Sequence, residues 1–356
     1  MKPGATLGLS HGFLYGHLKA TGQSLRPDID FIMMAPKGMG KSCRQLYLQG
    51  LTINGAGINS SVAVEQDTNG RALDYALGWA VATGSPVTFF TTMEKEVISD
   101  LTGERAFLLG GIWGAVEALY EKFSGPMGGI AAFLASAKGL TSTVSDLISK
   151  HGLLGFYREL DHNYKDAFRR GYVAAFAPAK KLIEEIYANV ASWAEIREVV
   201  EATEALKGGP MSDIETSEMW QVGKTLYESH PLMNPELAYS AGVYIAGIMA
   251  QMQVLLEHGH CVSELFNESL DEAIRSLNPF MDKRGVGHMV NNCSPTARLG
   301  ARKCGPRFKE ALASAMISGV DPTEENAEFA SFLGNPLHED IAKCSAFRPP
   351  VKLIVD

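Results

Sequence analysis

The feature that most constrains the fold is a change of character near Met93. Before it, short apolar runs alternate with helical patterns. The runs are Thr6–Ser10, Asp30–Ala35 (closed by Pro36 and Gly38), Ser61–Val64 and Val87–Phe90, with a helical pattern over Gly70–Thr83. Strands separated by helices predict βαβ units and a parallel sheet. After Met93 the strand-like runs largely disappear. Helical patterns cover Leu101–Phe123, Ile130–His151, Asp166–Val190, Ser192–Ala205, Tyr239–His258 and Cys261–Leu277. Gly125-Pro126, Gly208-Gly209-Pro210 and Asn278-Pro279 mark the expected turns. The sequence therefore predicts an α/β part over 1–92 and an all-helical part over 93–356.

A chain of 356 residues with 46% apolar side chains can bury a large core. The formal charge of −8 disfavours nucleic acid, whose phosphates need a basic patch. Five widely spaced cysteines without a Cys-x-x-Cys pair read as reduced thiols in a soluble intracellular compartment. Leu237–Leu256 carries no charge and is long enough to cross a bilayer. It contains Ser240, Gln251 and Gln253 and has no flanking basic cluster, so it reads as a buried helix of a protein without a membrane span.

Gly111–Glu121 aligns with Gly247–Glu257, sharing Gly, Ile, Leu and Glu at matching places. The pattern fits an internal duplication, and equally two buried helices with similar packing needs.

Gly40-Lys41-Ser42 follows a predicted strand but has Ala35, then Pro36, where a P-loop needs its first glycine. Gly-x-Gly-x-x-Gly is absent, since Gly55-Ala56-Gly57 is followed by Ser60 at the third glycine's place. The acids say more. Glu96, Asp100 and Glu104 are spaced by four, which makes one stripe on a helix, and Glu268 and Glu272 share that spacing. Carboxylate pairs on two helices can hold hard divalent cations, with Mg²⁺ the default; the bland alternative is a solvated helix face. His11 and Lys37 follow the first two strands, where sites of open α/β sheets lie. His258 and His260, two apart, read as a helix C-terminus favouring positive charge.

Taken together, the segments resemble the long, plant-type form of ketol-acid reductoisomerase. They are Leu9–Phe13, Pro36–Gly40, Ile53–Ser61, Ala76–Trp79, Ser99–Arg105, Asn267–Ser269, Ser276–Met281 and Asn292–Gly300. They stand in family order and cover nearly the whole chain. The resemblance implies part of a Rossmann-like NADPH-binding domain followed by a duplicated, knotted helical domain, with repeats of about 93–230 and 231–356. It implies alkyl migration and reduction of 2-acetolactate or 2-aceto-2-hydroxybutyrate, with two Mg²⁺ ions and NADPH, in valine and isoleucine synthesis. Small acetohydroxy acids would be the partners, and a homo-oligomer is compatible with it. A plant or algal source would place the chain in a plastid.

By the same resemblance Asp100, Glu104, Glu268 and Glu272 are metal ligands, and Glu272 also relays a proton. Ser294 binds the substrate carboxylate. His11 and Lys37 border the nicotinamide and the metal-bound oxygens, and Glu96 orients Lys37 or a metal-bound water. The family's Gly-rich βαβ half would precede Met1, so the expectation is that this chain does not itself hold NADPH tightly. Two readings follow: an N-terminally incomplete enzyme, or a short non-catalytic scaffold that binds Mg²⁺ or pairs with full-length subunits. A scaffold has no physical need of all seven of Asp100, Glu104, Glu268, Glu272, Ser294, His11 and Lys37, which favours the first.

Overall fold

The computed structural model describes residues 1–318, 326–347 and 351–355. The α/β part runs β1 (Thr6–Leu9), α1 (Phe13–Thr21), β2 (Asp30–Pro36), α2 (Gly40–Gln49), β3 (Ser60–Gln66), α3 (Ala72–Ala82) and β4 (Thr88–Phe90). The sheet order is β1-β2-β3-β4. It is mixed rather than wholly parallel: β1–β2 and β3–β4 are parallel, but β2–β3 is antiparallel, Met33 opposing Ala63. The segment between α2 and β3 turns the chain back. A buried apolar run reads the same in either direction, so the local pattern carries no strand direction.

β2 is buried on both faces because its side chains alternate. Phe31, Met33 and Ala35 join the core of the helical part, whereas Ile32 and Met34 pack with Val62 against Ala72, Ala76 and Ala80 of α3. The small alanines, four apart, let α3 lie close on the sheet.

The helical part opens at α4 (Met93–Arg105), capped by Thr92, whose side chain accepts from Lys95 N–H. The pattern over 101–123 is not one helix. The chain breaks at buried Ala106–Leu109, where Gln251 Oε1 accepts from Phe107 N–H at 2.8 Å, and resumes as α5 (Gly110–Met127). Gly125-Pro126 is not a turn, lying within α5. Then follow α6 (Gly129–Phe133), a π-helical run (Leu134–Lys138, Leu140–Val144), α7 (Ser145–Glu159), α8 (His162–Ala191), α9 (Ala194–Leu206), α10 (Glu218–Gly223) and α11 (Pro235–Glu257). After α12 (Val262–Leu265) comes a second π-helical run (Phe266–Asp271, Ala273–Leu277). Asn278-Pro279 starts α13 (Asn278–Arg284) instead of a turn; α14 (Val286–Asn292), α15 (Pro295–Ser318), α16 (Ala327–Gly334) and α17 (Leu337–Ala346) complete the elements.

α11 is long and apolar enough to span a bilayer, but 89% of its most apolar window is buried inside the protein. It packs along α8, and α15 packs along α5. Glycine makes the first approach close: a Cβ on Gly242 would lie 2.1 Å from Phe168 O, and one on Gly171 2.1 Å from Tyr239 O.

Candidate functional site

Asp100 and Glu104 lie one turn apart on α4, and Glu96 one turn earlier, so helical spacing puts all three on one face. The second π-helical run brings Glu268 against them. Single π turns recur at functional sites, because the looser i→i+5 winding re-aims side chains. His11 follows β1, and its Nδ1 accepts from Phe13 N–H at 3.2 Å. Lys37 follows β2. Ser294 stands just before α15, with Oγ accepting from Ala297 N–H at 3.2 Å and Pro295 at the first helical position.

These residues converge. Lys37 Nζ donates to Glu96 Oε1 at 2.9 Å and pairs with Glu268 Oε1; all three side chains are essentially buried. His11 Nε2 lies 3.3 Å from Asp100 Oδ2 and 3.9 Å from Glu104 Oε1. Ser294 Oγ donates to Glu104 Oε1 at 3.4 Å. A cavity of about 300 Å³ is lined by His11, Glu96, Asp100, Glu104, Glu272 and Ser294 among others. Two sets of ligand atoms lie within 4.8 Å of one another: those of His11, Asp100 and Glu104, and those of Glu96, Asp100 and Glu268. Glu272 lines the cavity without joining either set.

Burial raises four of the five carboxyls and leaves Asp100 as the exception. Burial, with the charges of Glu268 and Asp100, raises Glu272 well above the usual carboxylate range. Burial pushes Glu268 up to about 8, assisted by Asp100 and Glu96 and opposed by Lys37. Burial outweighs Lys37 at Glu96 and, with the Asp100 charge, raises Glu104. At Asp100 burial is outweighed by His11, and its carboxyl titrates low. Burial disfavours charge on His11, but Asp100 and Glu104 more than offset it and hold the imidazolium well above its ordinary range.

Five acids thus face three basic groups, Lys37, His11 and Arg105. Glu96 Oε2 and Glu268 Oε2 are buried with no hydrogen-bond partner among the described residues. Buried oxygens in excess of donors fit a hard divalent cation. The turn from β2 into α2 is filled from the helical side, Met39 N–H donating to Ser276 Oγ (3.3 Å) and Ser42 Oγ donating to Ser276 O (2.8 Å). Gly55-Ala56-Gly57 leads into β3 and not into a helix.

Two contributors, Arg105 and Asn59, carry no signal in the sequence, and a third, His260, is placed differently from the expectation. Arg105, wholly buried, donates to Glu195 Oε1 (2.7 Å), Thr296 Oγ1 (3.0 Å) and Leu101 O (3.0 Å) and lies 3.3 Å from Glu104 Oε2. It stood next to Glu104, but sequence gives no sign of where a guanidinium points. Asn59 donates to Asn267 Oδ1 at 2.9 Å, joining the loop before β3 to the π-helical run. His260 is not part of a charged helix end. Gly259, at φ +76°, turns it inward, where Nε2 lies 3.0 Å from Tyr187 Oη and Nδ1 3.3 Å from Glu264 Oε2. His258, at the end of α11, stacks on Tyr187 at 3.9 Å.

Comparison with known proteins finds two family models. The one described as acetohydroxy acid isomeroreductase, NADPH-binding domain, matches residues 1–88. The one described as ketol-acid reductoisomerase, C-terminal domain, matches 93–232 and 235–342. The chain is 45% identical to the chloroplastic ketol-acid reductoisomerase of Spinacia oleracea over 367 residues, which is 100% of this chain and 62% of the relative. It is 43% identical to that of Pisum sativum, covering 100% and 63%. It therefore spans about three fifths of the length of these relatives. A solved NADH-preferring ketol-acid reductoisomerase from an uncultured archaeon shares the fold, with a TM-score of 0.53, 21% identity and coverage of 65% of this chain and 70% of that one.

Proposed function

The chain belongs to the ketol-acid reductoisomerase family, and from that premise we propose that it forms the cation and substrate part of an enzyme acting on 2-acetolactate and 2-aceto-2-hydroxybutyrate. The observation that carries this reading is the meeting, around one cavity, of Asp100 and Glu104 from α4 with Glu272 from the second π-helical run and Ser294 just before α15, while the ligand atoms of Glu268, Glu96 and Asp100 lie within 4.8 Å of one another. Asp100, Glu104, Glu268 and Glu272 would hold two Mg²⁺ ions. When bound, the ions supply Lewis acidity for the alkyl migration and NADPH the hydride for the reduction.

The chain's own groups do the rest. Ser294, whose hydroxyl is fixed at the head of α15, presents a donor to the substrate carboxylate. Lys37 holds Glu96 and Glu268 in place, a role that the 2.9 Å contact with Glu96 supports. Glu272, whose carboxyl is raised well above the usual range by burial and the charges of Glu268 and Asp100, is placed to pass a proton into the cavity. His11 sets its imidazole beside Asp100 and Glu104, whose charges favour the imidazolium. NADPH is proposed as the hydride donor because residues 1–88 match the family's NADPH-binding domain.

Two coarser proposals accompany this one. The helical part divides into repeats of about 93–230 and 231–356. Each contains a long helix followed by a double π-helical run, and the long helices pair across the halves, α5 with α15 and α8 with α11, as an intertwined duplication requires. A place in a plastid or mitochondrion rests on the names of relatives, chloroplastic in spinach and pea and mitochondrial in Schizosaccharomyces pombe.

The test is NADPH oxidation with 2-acetolactate and Mg²⁺, run on this chain and on one completed to the length of the plant relatives. Substrate-dependent oxidation by the completed chain, lost in Asp100→Asn, supports the reading. A completed, folded chain with no such activity contradicts it.

A further inference from the structure

Glu264 lies one helical turn before Glu268 and outside the cavity, and its side chain is 1% exposed. Both oxygens are engaged. Oε1 accepts from Thr91 Oγ1, while Oε2 accepts from Cys261 N–H at 3.2 Å and faces His260 Nδ1 at 3.3 Å. The other nitrogen of His260 meets Tyr187 Oη of α8 at 3.0 Å. Thr91 is itself tied to the sheet, donating its N–H to Val62 O at 3.1 Å, and the next residue, Thr92, caps α4. One carboxylate thus joins four elements: the end of the sheet, the head of α4, α12 and, through His260, α8.

The same helix then makes two more polar contacts with the α/β part, Asn267 with Asn59 and Glu268 with Lys37. The three contacts fall at i, i+3 and i+4, along one face. Apolar packing would hold these elements together without fixing their register. Directional bonds to a buried carboxylate fix both distance and angle, and are costly to leave unmade.

We infer that Glu264, oriented by His260 and Tyr187, is a positioning residue that sets the register of the π-helical run against α4, and through it the spacing of Glu268 from Asp100 and Glu104. The inference rests on the cation reading only for its consequence; the clamp itself exists without a cation.

The experiment compares Glu264→Ala, Glu264→Gln and Thr91→Val with the parent chain by two readouts. The first is amide hydrogen exchange in the cation-free chains. Glu264→Ala and Thr91→Val should speed exchange across Phe266–Leu277, beyond the first turn of α12, while exchange in α5 and α15 stays at the parent rate. The second is Mg²⁺ affinity by calorimetry, expected to fall about fivefold in both variants and to stay within about twofold of the parent in Glu264→Gln, whose amide oxygen can accept from Cys261 N–H while its NH2 donates to Thr91 Oγ1. A residue with a merely structural role would lower the melting temperature without this selective pattern. Unchanged exchange across 266–277 overturns the inference, whatever the Mg²⁺ result. If Glu264→Ala fails to fold, Thr91→Val, which removes only the hydroxyl of a partly exposed residue, decides it. A parent chain that takes up no Mg²⁺ removes the cation reading and leaves the exchange arm to decide the clamp.

Discussion

The ammonium of Lys37 and the carboxylate of Glu268 form a buried ion pair between the strand end of the sheet and the π-helical run of the helical part. Lys37 also holds Glu96 at 2.9 Å, so one cation spans two acids from two different elements. Replacing it with Met leaves those acids without their cation. Lys37→Met should cost about 3 kcal/mol in urea unfolding at pH 8 and less at pH 5.5, where the acids can take up protons instead. Equal losses at the two pH values would contradict the pairing.

The raised Glu268 pKa sets a second expectation. Its carboxyl goes from an ordinary 4.5 to about 8 in the folded chain. A folded pKa above the unfolded one means that the native state binds the proton more tightly. That contribution is fully present below 4.5 and is lost as pH rises through about 8. The cation-free chain should melt lower at pH 8.5 than at pH 6, and Mg²⁺ should raise the pH 8.5 value more. Calorimetry at pH 7 in buffers of different ionisation heat should show protons released on Mg²⁺ binding. A buffer-independent heat would show that no proton leaves.

Arg105 braces Glu104 on one side and the head of α15, through Thr296, on the other. Lysine cannot reach this many acceptors from one position. Arg105→Lys should destabilise the chain by about 2–4 kcal/mol, because it leaves Glu195 and Thr296 short of donors inside the core. The change is read from the urea midpoint, and a midpoint equal to the parent's would remove Arg105 from the account.

Two glycines give a paired test of packing. Gly242→Ala drives a methyl against the backbone of α8 and should cost about 1–3 kcal/mol. Gly125→Ala sits on an exposed helical position with nothing within 4 Å and should be neutral or stabilise by up to about 1 kcal/mol. Similar losses in both variants would show that the α8–α11 approach is looser than described.

Local features were legible in the sequence. The alternation of β2, the alanine face of α3 and the stripe of Glu96, Asp100 and Glu104 are repeats of two or four residues, which follow from strand and helix geometry alone. Features set by partners far along the chain were not. The antiparallel β2–β3 pairing is set by how the chain returns between α2 and β3, the break at Ala106–Leu109 is held by Gln251, and the inward turn of His260 by Tyr187 and Glu264. The π-helical winding of 266–277 has no signature in the sequence, because side-chain spacing hardly distinguishes it from an ordinary helix. The site residues came together through the family resemblance; spacing alone offered a solvated face as the alternative, and the burial of Glu96 and Glu268 rules that out for these two.

The central claim is that α4 and the π-helical run together build a divalent-cation site. Mg²⁺ titration of this chain by calorimetry, beside Asp100→Asn and Glu268→Gln, tests it most directly. The account predicts saturable binding by the parent, weakened at least about tenfold in each variant, since each removes a carboxylate charge from the ligand set. Parent-like binding in both folded variants would contradict it.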